Sequence, residues 1–393
     1  MIPRSDKPHE FLPMAGEVPL YPPQVTENPE NHSRPFIIPI FLPHAGCRHR
    51  CVFCNQFRIT GETSSHPTPQ DLESRIDHFC GFRRHPEKPV EIAFYGGNFL
   101  GLPAAECKSM LTTAEKFVAS GCVNGIRFST RPDTISEETC SVLQAFSISA
   151  VEIGVQSMDD RVLEKCHRGH SASDTVLAMD LLRKKGHRVG LQLMVGLPGE
   201  DAISRQKTAE RVCRLSPDFV RIYPTLVMPE SELANQYHAG SYSPLSLQAA
   251  VQAVKKLYTQ FEKNRIPVIR MGLQSTPFLE KKNAVVSGPY HPAFGHMVFS
   301  EIEYDKITAM LETAPPPGDV LNLRVHPSRI SRVQGLKKEN LRRLQQQYGF
   351  REVRILTDPA AKNTEIRYPT NSNKTRSTKQ GFESRRPAVT IRN

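Results

Sequence analysis

The chain has 393 residues, nine cysteines and a formal net charge of +11, enough length for one large domain with extensions or for two domains. Its longest apolar run, near PFIIPIFLP, is too short to span a bilayer, and no charged-then-apolar segment opens the sequence. These features exclude a helical membrane protein and a signal-directed secreted one, so a soluble, cytoplasmic protein with no membrane partner is expected. In that compartment thiols stay reduced, so nine cysteines argue against a disulfide framework and make clustered ones candidate metal ligands. The positive excess points towards a polyanionic partner.

Residues 1–34 are rich in Pro and polar residues with little apolar periodicity, and a disordered leader is expected there. From 35 to 275 short apolar runs alternate with longer amphipathic stretches. The runs predict strands at 36–42, 90–96, 125–130, 150–156, 189–196 and 218–225. Helices are predicted between them at 69–80, 103–119, 136–146, 159–184 with a break near Gly169, 200–215 and 245–264. Six strand-then-helix units predict an α/β fold with a parallel sheet and helices outside it. Right-handed winding would curl that sheet into a partial (β/α)6 TIM-like barrel, with IPVIRMGL at 266–273 as an added edge strand.

Unusual polar or glycine-rich segments follow each predicted strand: the cysteine loop, GGN at 96–98, STRPD at 129–133, GVQS at 154–157, GLPGE at 196–200 and RIYPT at 221–225. In barrels of this class the C-terminal strand ends converge on one mouth, where the chemistry is done. Cys47, Cys51 and Cys54 lie within LPHAGCRHRCVFCNQ, and the other six cysteines are isolated, as small packing residues would be. Three readings of the triplet are open. Structural zinc would need a fourth ligand, with His44 and His49 nearby. Buried inert thiols fit poorly in a loop containing Arg48, His49 and Arg50. A cubane iron–sulfur cluster held by three thiolates would keep one iron open to a chelating cofactor.

Cys-x-x-x-Cys-x-x-Cys after the first strand of a partial barrel, with Phe53 just before the third cysteine, resembles the radical S-adenosylmethionine (SAM) superfamily. GGN is similar to its GGE-type motif, with Asn98 in place of the usual Glu or Thr. STRPD, GVQS, Arg168 to His170 and GLPGE resemble the branch holding the elongator acetyltransferase subunit and the oxygen-independent coproporphyrinogen oxidase, and most closely its uncharacterised bacterial members. The resemblance covers residues 36 to about 275. It implies a [4Fe–4S] cluster and SAM as cofactors, a one-electron donor of flavodoxin or ferredoxin type, and a 5′-deoxyadenosyl radical that takes a hydrogen atom from substrate. Cys47, Cys51 and Cys54 would be the catalytic metal ligands, with Arg48 and Arg50 favouring their thiolates. Cofactor binding would fall to Phe53, Gly96, Gly97, Asn98, Thr130, Gln156, Arg168, Gly196 and Leu197. Gly96 and Gly97 would let the backbone approach the methionine amino group. Gln156 would meet the ribose hydroxyls, Arg168 the carboxylate, and Gly196 and Leu197 the adenine. Glu152 is a candidate charge partner of Arg168 or Arg131, Arg131 equally of Asp133, and Arg221 and Tyr223 are candidate substrate contacts.

Residues 276–358 read as a small α/β appendage: helix 301–313, strand 320–326, helix 335–348 and strand 352–356. Between Arg324 and Arg354 it carries Arg324, Arg329, Arg332, Lys337, Lys338, Arg342 and Arg343 with few acids, a pattern suited to phosphate backbones. Residues 359–393 are polar and basic, and a disordered tail is expected. No segment resembles an acetyl-CoA loop, so acetyl transfer is not carried over. The leading function is RNA modification, chiefly of tRNA; the alternative is radical oxidation of a small molecule of the coproporphyrinogen oxidase type.

Overall fold

The computed structural model describes residues 35–62, 66–82, 87–281, 283–314 and 318–367. The expected leader and most of the expected tail lie outside the described residues. Seven strands form one sheet: β1 Phe36–Leu42, β2 Val90–Gly96, β3 Gly125–Thr130, β4 Ile148–Gln156, β5 Val189–Val195, β6 Phe219–Pro224 and β7 Val268–Met271. They pair in chain order, every pair parallel. The helices between them are α1 Gln56–Thr60, α2 Pro69–Gly81, α3 Ala104–Ala119, α4 Glu137–Leu143, α5 Asp160–Lys165, α6 Ala172–Lys184, α7 Ala202–Leu215, α8 Glu232–His238 and α9 Leu247–Lys263. The result is the parallel half-barrel that alternating strands and helices predict, with the seventh run adding its edge strand.

Side-chain alternation divides each strand between two environments. Ile38, Ile40, Ile92, Ile126, Val151, Ile153, Val155, Val220 and Ile222 point outward under the helices and are fully buried. Inward positions carry polar groups, and Tyr95, Gln192, Arg221 and Tyr223 are only half-buried, so they line an open lumen. At the bottom of the lumen Arg127 and Arg188 stack on Phe219. Gly190 makes room for that ring: a Cβ there would come within 2.1 Å of it.

Helix starts follow local chemistry. Thr68 with Asp71, Ser136 with Thr139, Ser171 with Asp174 and Asp201 with Ser204 form reciprocal caps that satisfy otherwise orphaned N–H groups. The predicted break near Gly169 is the turn between α5 and α6. Two short helices of the barrel were not legible: α1, immediately after the cysteines, and α8.

The C-terminal part continues with α10 Phe294–Thr313, β8 Val320–Val325, α11 Ile330–Gln334, α12 Glu339–Tyr348, β9 Glu352–Thr357 and β10 Glu365–Arg367. Its sheet has the order β10-β8-β9, with β9 parallel and β10 antiparallel to β8. Helix α10 begins seven residues before the predicted start because its first turns belong to the barrel: Phe294, Val298 and Ile302 join the barrel core, while Tyr304, Ile307 and Leu311 join the second core. Strand β10 lies beyond the expected boundary at 358, held where Arg324 bridges Asp358 and Glu365.

The predicted row of free cations is mostly paired. Arg324 engages Asp358 and Glu365, Arg329 engages Glu303, Arg342 engages Glu339 and Arg343 engages Glu301. Arg332 lies over the Phe299 ring. Lys337 and Lys338 are exposed, without a carboxylate partner among the described residues, and adopt left-handed backbone angles.

Candidate active site

The cysteine loop leaves β1 and is clamped to the end of β2. A Cβ on Gly97 would lie 2.2 Å from the Ala45 carbonyl oxygen and 2.6 Å from that of Leu42, so only glycine permits this approach. Asn98 completes the clamp while 99% buried. Its backbone N–H donates to Ala45 O at 2.7 Å and its side-chain amide to Gly46 O at 3.0 Å. Its Oδ1 accepts from Thr130 Oγ1 at 2.7 Å, the Arg131 N–H at 2.9 Å and Thr134 Oγ1 at 2.9 Å. On the other side of the loop, Gln56 accepts from the His44 N–H and donates to Gly96 O, while its own N–H donates to His44 Nε2 at 3.0 Å.

Within this clamp the three thiols lie near one another. Burial, then the neighbouring Cys51 and Cys47, pushes the Cys54 thiol upward. Burial and Cys51 raise Cys47, against which Arg131 and Arg168 work as cations. Arg168 Nη1 donates to Cys51 Sγ at 3.1 Å, and its Nη2 donates to Gly154 O. Arg131 donates to Asp133 Oδ1 at 2.9 Å and to Arg168 O. Arg131 Nη1 and Arg168 Nε are buried with no hydrogen-bond acceptor. His170 lies beside them; burial, then Arg168 and Arg131, lowers its pKa to about 3, so it is neutral.

The sequence matches the radical SAM superfamily over residues 41–212 and the radical SAM C-terminal domain over 217–304. The chain belongs to the radical SAM superfamily. It is 29% identical over 195 residues to a tRNA uridine(34) acetyltransferase of Methanocaldococcus jannaschii, covering 43% of this chain and 35% of that one. It is 27% identical over 222 residues to an uncharacterized protein of the same archaeon, covering 53% and 67%. The archaeal Elp3 of Methanocaldococcus infernus shares the fold, with a TM-score of 0.54 at 22% identity over 70% of this chain and 64% of that one. The chain spans between 35% and 50% of the length of the tRNA uridine(34) acetyltransferases it matches. It is thus a radical SAM enzyme, of a superfamily whose cofactors are a [4Fe–4S] cluster and SAM. Among the described residues no helix is long and apolar enough to cross a membrane.

The donor set of this radical SAM enzyme suits a cluster better than one zinc ion. Among the described residues no three His, Cys, Asp or Glu side chains are grouped to hold a single ion. Of the histidines near the triplet, His44 accepts the Gln56 N–H, and the exposed His49 ring lies against Gly169. In a cubane each thiolate takes a different iron, so the thiols need not converge on one point.

Several sequence expectations change in detail. The cations acting on Cys47 are Arg131 and Arg168; Arg48 and Arg50 lie outward in solvent. The close approach at Gly97 is to the cysteine loop's own backbone. Asn98 and Thr130, read as cofactor contacts, have their side chains committed to the clamp, where Thr130 Oγ1 also accepts the Leu100 N–H at 3.2 Å. The Gly196 N–H donates to Glu200 Oε1 at 3.1 Å, and its carbonyl accepts from the Tyr242 hydroxyl at 2.6 Å. Leu197 packs with Val52, Val162 and Cys166, and Phe53 lies against this cluster. Gln156 sits at a bulge with φ +66°, its amide oxygen accepting from Gln192 at 3.4 Å.

Glu152 does not meet Arg168 or Arg131. It pairs with Arg221 at 3.0 Å and Arg127 at 3.5 Å and accepts from the Tyr95 hydroxyl at 3.0 Å. Arg127 also pairs with Glu91 at 2.8 Å. Arg221 donates to the Tyr95 oxygen at 2.7 Å, and burial holds that phenol up at about 12, so it stays neutral. Sequence reading missed Gln56, Tyr95, Arg127 and Glu91. Polar residues at alternate positions of otherwise apolar strands were the available signal for the last three.

Proposed function

We propose that Cys47, Cys51 and Cys54 hold a [4Fe–4S] cluster with one iron left to SAM, and that the enzyme modifies RNA, chiefly tRNA. On reduction by one electron that pair supplies a 5′-deoxyadenosyl radical able to take a hydrogen atom from substrate. The observation carrying the cofactor assignment is the pair of buried, unmatched donors, Arg131 Nη1 and Arg168 Nε, beside three thiols. Buried N–H groups without acceptors are costly, and a carboxylate between them would satisfy both. Gln156 would then present its amide to the ribose hydroxyls. Phe53, Gly196 and Leu197 would wall the adenine, while Gly96, Gly97, Asn98 and Thr130 hold the loop that carries the thiols. The reductant is a one-electron carrier of flavodoxin or ferredoxin type, and the setting is cytoplasmic.

RNA is favoured over a polycarboxylate of coproporphyrinogen type by charge inside the lumen. Arg127 is paired to Glu91 and Glu152, and Arg221 to Glu152. Among the described residues Arg270, in register with Arg221, bonds the neutral Gln274 and no carboxylate. Among the described residues it is the uncompensated guanidinium at the level of Arg221, with Arg188 stacked on Phe219 at the bottom, and it suits a single phosphate or carboxylate there. The named activity of the tRNA-modifying relatives supports the same reading. Anaerobic isolation followed by sequencing of co-purified nucleic acid tests it. Enrichment of particular tRNAs is expected; RNA-free protein with no salt-dependent affinity for tRNA in filter binding would overturn it.

A further inference from the structure

His170 stands two residues after Arg168, at the exit of the turn between α5 and α6. Its backbone is pinned on both sides: the Arg168 N–H donates to Leu163 O at 3.0 Å, and the Ser171 N–H to Asp174 Oδ2 at 2.7 Å. The residue is only 8% exposed, and its ring lies beside the guanidiniums of Arg168 and Arg131. Both ring nitrogens are buried without a hydrogen-bond partner; the Val155 carbonyl near the ring lies outside hydrogen-bond geometry. A buried N–H without an acceptor is costly, and phenylalanine would fill the same space without that cost. Three orphaned groups therefore share one corner of the site: Arg131 Nη1, Arg168 Nε and the His170 ring. The remaining nitrogens of both arginines are committed, those of Arg168 to Cys51 Sγ and Gly154 O, those of Arg131 to Asp133 and Arg168 O. The acids beside the corner are taken as well: Asp133 pairs with Arg131 at 2.9 Å, and Asp174 caps α6. Among the described residues Arg168 has no carboxylate partner.

We infer that His170 is a third donor to the carboxylate of SAM, its ring N–H closing a pocket whose other two donors are Arg131 Nη1 and Arg168 Nε. The inference rests on the cofactor placement proposed above and adds a residue to it. A carboxylate has two oxygens with about four lone-pair sites, so three donors can be met at once. The corner also lies where the methionyl end of SAM would run. On one side Arg168 bonds Cys51; on the other is Gly154, where a Cβ would lie 3.5 Å from Arg168 Nη2 and 3.1 Å from Gln156 Nε2. The guanidinium thus reaches from the thiols to the amide assigned to the ribose. Because the ring is neutral, it holds the carboxylate without adding a third cation beside Cys47 and Cys51.

The test measures binding without turnover. Parent, His170→Phe and His170→Gln are reconstituted anaerobically, left unreduced, and titrated in a calorimeter with SAM and with decarboxylated SAM, which lacks only the carboxylate. The parent is expected to prefer SAM. His170→Phe should keep its iron, bind SAM about 10-fold more weakly, as the loss of one hydrogen bond to a charged group implies, and bind decarboxylated SAM as the parent does. His170→Gln, which retains an N–H donor, should recover part of the lost affinity, and for SAM alone. A purely structural histidine would on replacement weaken both ligands together or neither, and either result overturns the inference. If His170→Phe loads iron poorly, His170→Leu and the ratio of the two affinities answer the same question, since a loosened site shifts both ligands. A parent that binds both ligands equally would count against the carboxylate placement itself. A parent that prefers SAM, with variants that keep the full preference, sinks this inference alone.

Discussion

Asn98 stands where a charged or hydroxylated residue is usual in the superfamily motif, and its amide does what neither alternative could do alone. It donates to the cysteine loop and accepts three bonds from the end of β3. Replacing it with Ala would leave buried donors unmatched, at about 3 kcal/mol. Asn98→Ala is expected to lower thermal stability and to retain iron poorly after reconstitution, whereas Asn98→Asp, which keeps the acceptor, should retain more. Gln156 carries the opposite balance. Its left-handed backbone costs about 1 kcal/mol, so Gln156→Gly is expected to unfold no more easily than the parent while binding SAM more weakly, measured by calorimetry. His170 contributes an acid sensitivity. Its folded pKa of about 3 lies below the ordinary 6.5, so the unfolded chain binds the extra proton between those values and stability falls as pH drops through that window. Melting curves from pH 7 to pH 4 should show this decline, and His170→Gln should lessen it.

The strands and main helices were legible as elements because each carries its own signal. Apolar runs fix strands, and Thr68, Ser136, Ser171 and Asp201 mark helix starts. What the sequence could not reveal is which strand faces which across the lumen. Tyr95 and Arg221 lie 126 residues apart and meet only because the sheet curls, so Glu152 was given the wrong partners. Short helix α1 went unread because five residues carry no period, yet it brings Gln56 back to His44 and Gly96. The buried ion pairs are an element-level property, since β2, β3, β4 and β6 each contribute one member. Removing one partner strands the other: Glu152→Gln is expected to cost about 3 kcal/mol in denaturant unfolding. The double variant Glu152→Met/Arg221→Met should lose less than the sum of the single losses.

Across the whole molecule, net charge was a poor guide to where charge is available. The chain carries +11, yet four arginines of the appendage are held by its own carboxylates, and α10 joins the barrel core to the appendage core. Lys337 and Lys338 are the cations of that basic run left to meet a phosphate backbone. Lys337→Glu/Lys338→Glu is expected to weaken tRNA binding and flatten its salt dependence by a slope of about 1 to 2, while reversing Arg343 would instead destabilise the fold through Glu301.

The central claim is that three thiols on a clamped loop, with Arg131 and Arg168 beside them, equip this half-barrel to cleave SAM. Anaerobic incubation of the reconstituted protein with SAM and dithionite, followed by chromatographic quantification of products, tests it most directly. The account predicts 5′-deoxyadenosine and methionine in equal amounts from the parent, none from Cys51→Ala, and a reduced yield from Arg168→Gln with its iron content intact. A parent that takes up about four irons per chain and binds SAM yet releases no 5′-deoxyadenosine would contradict it.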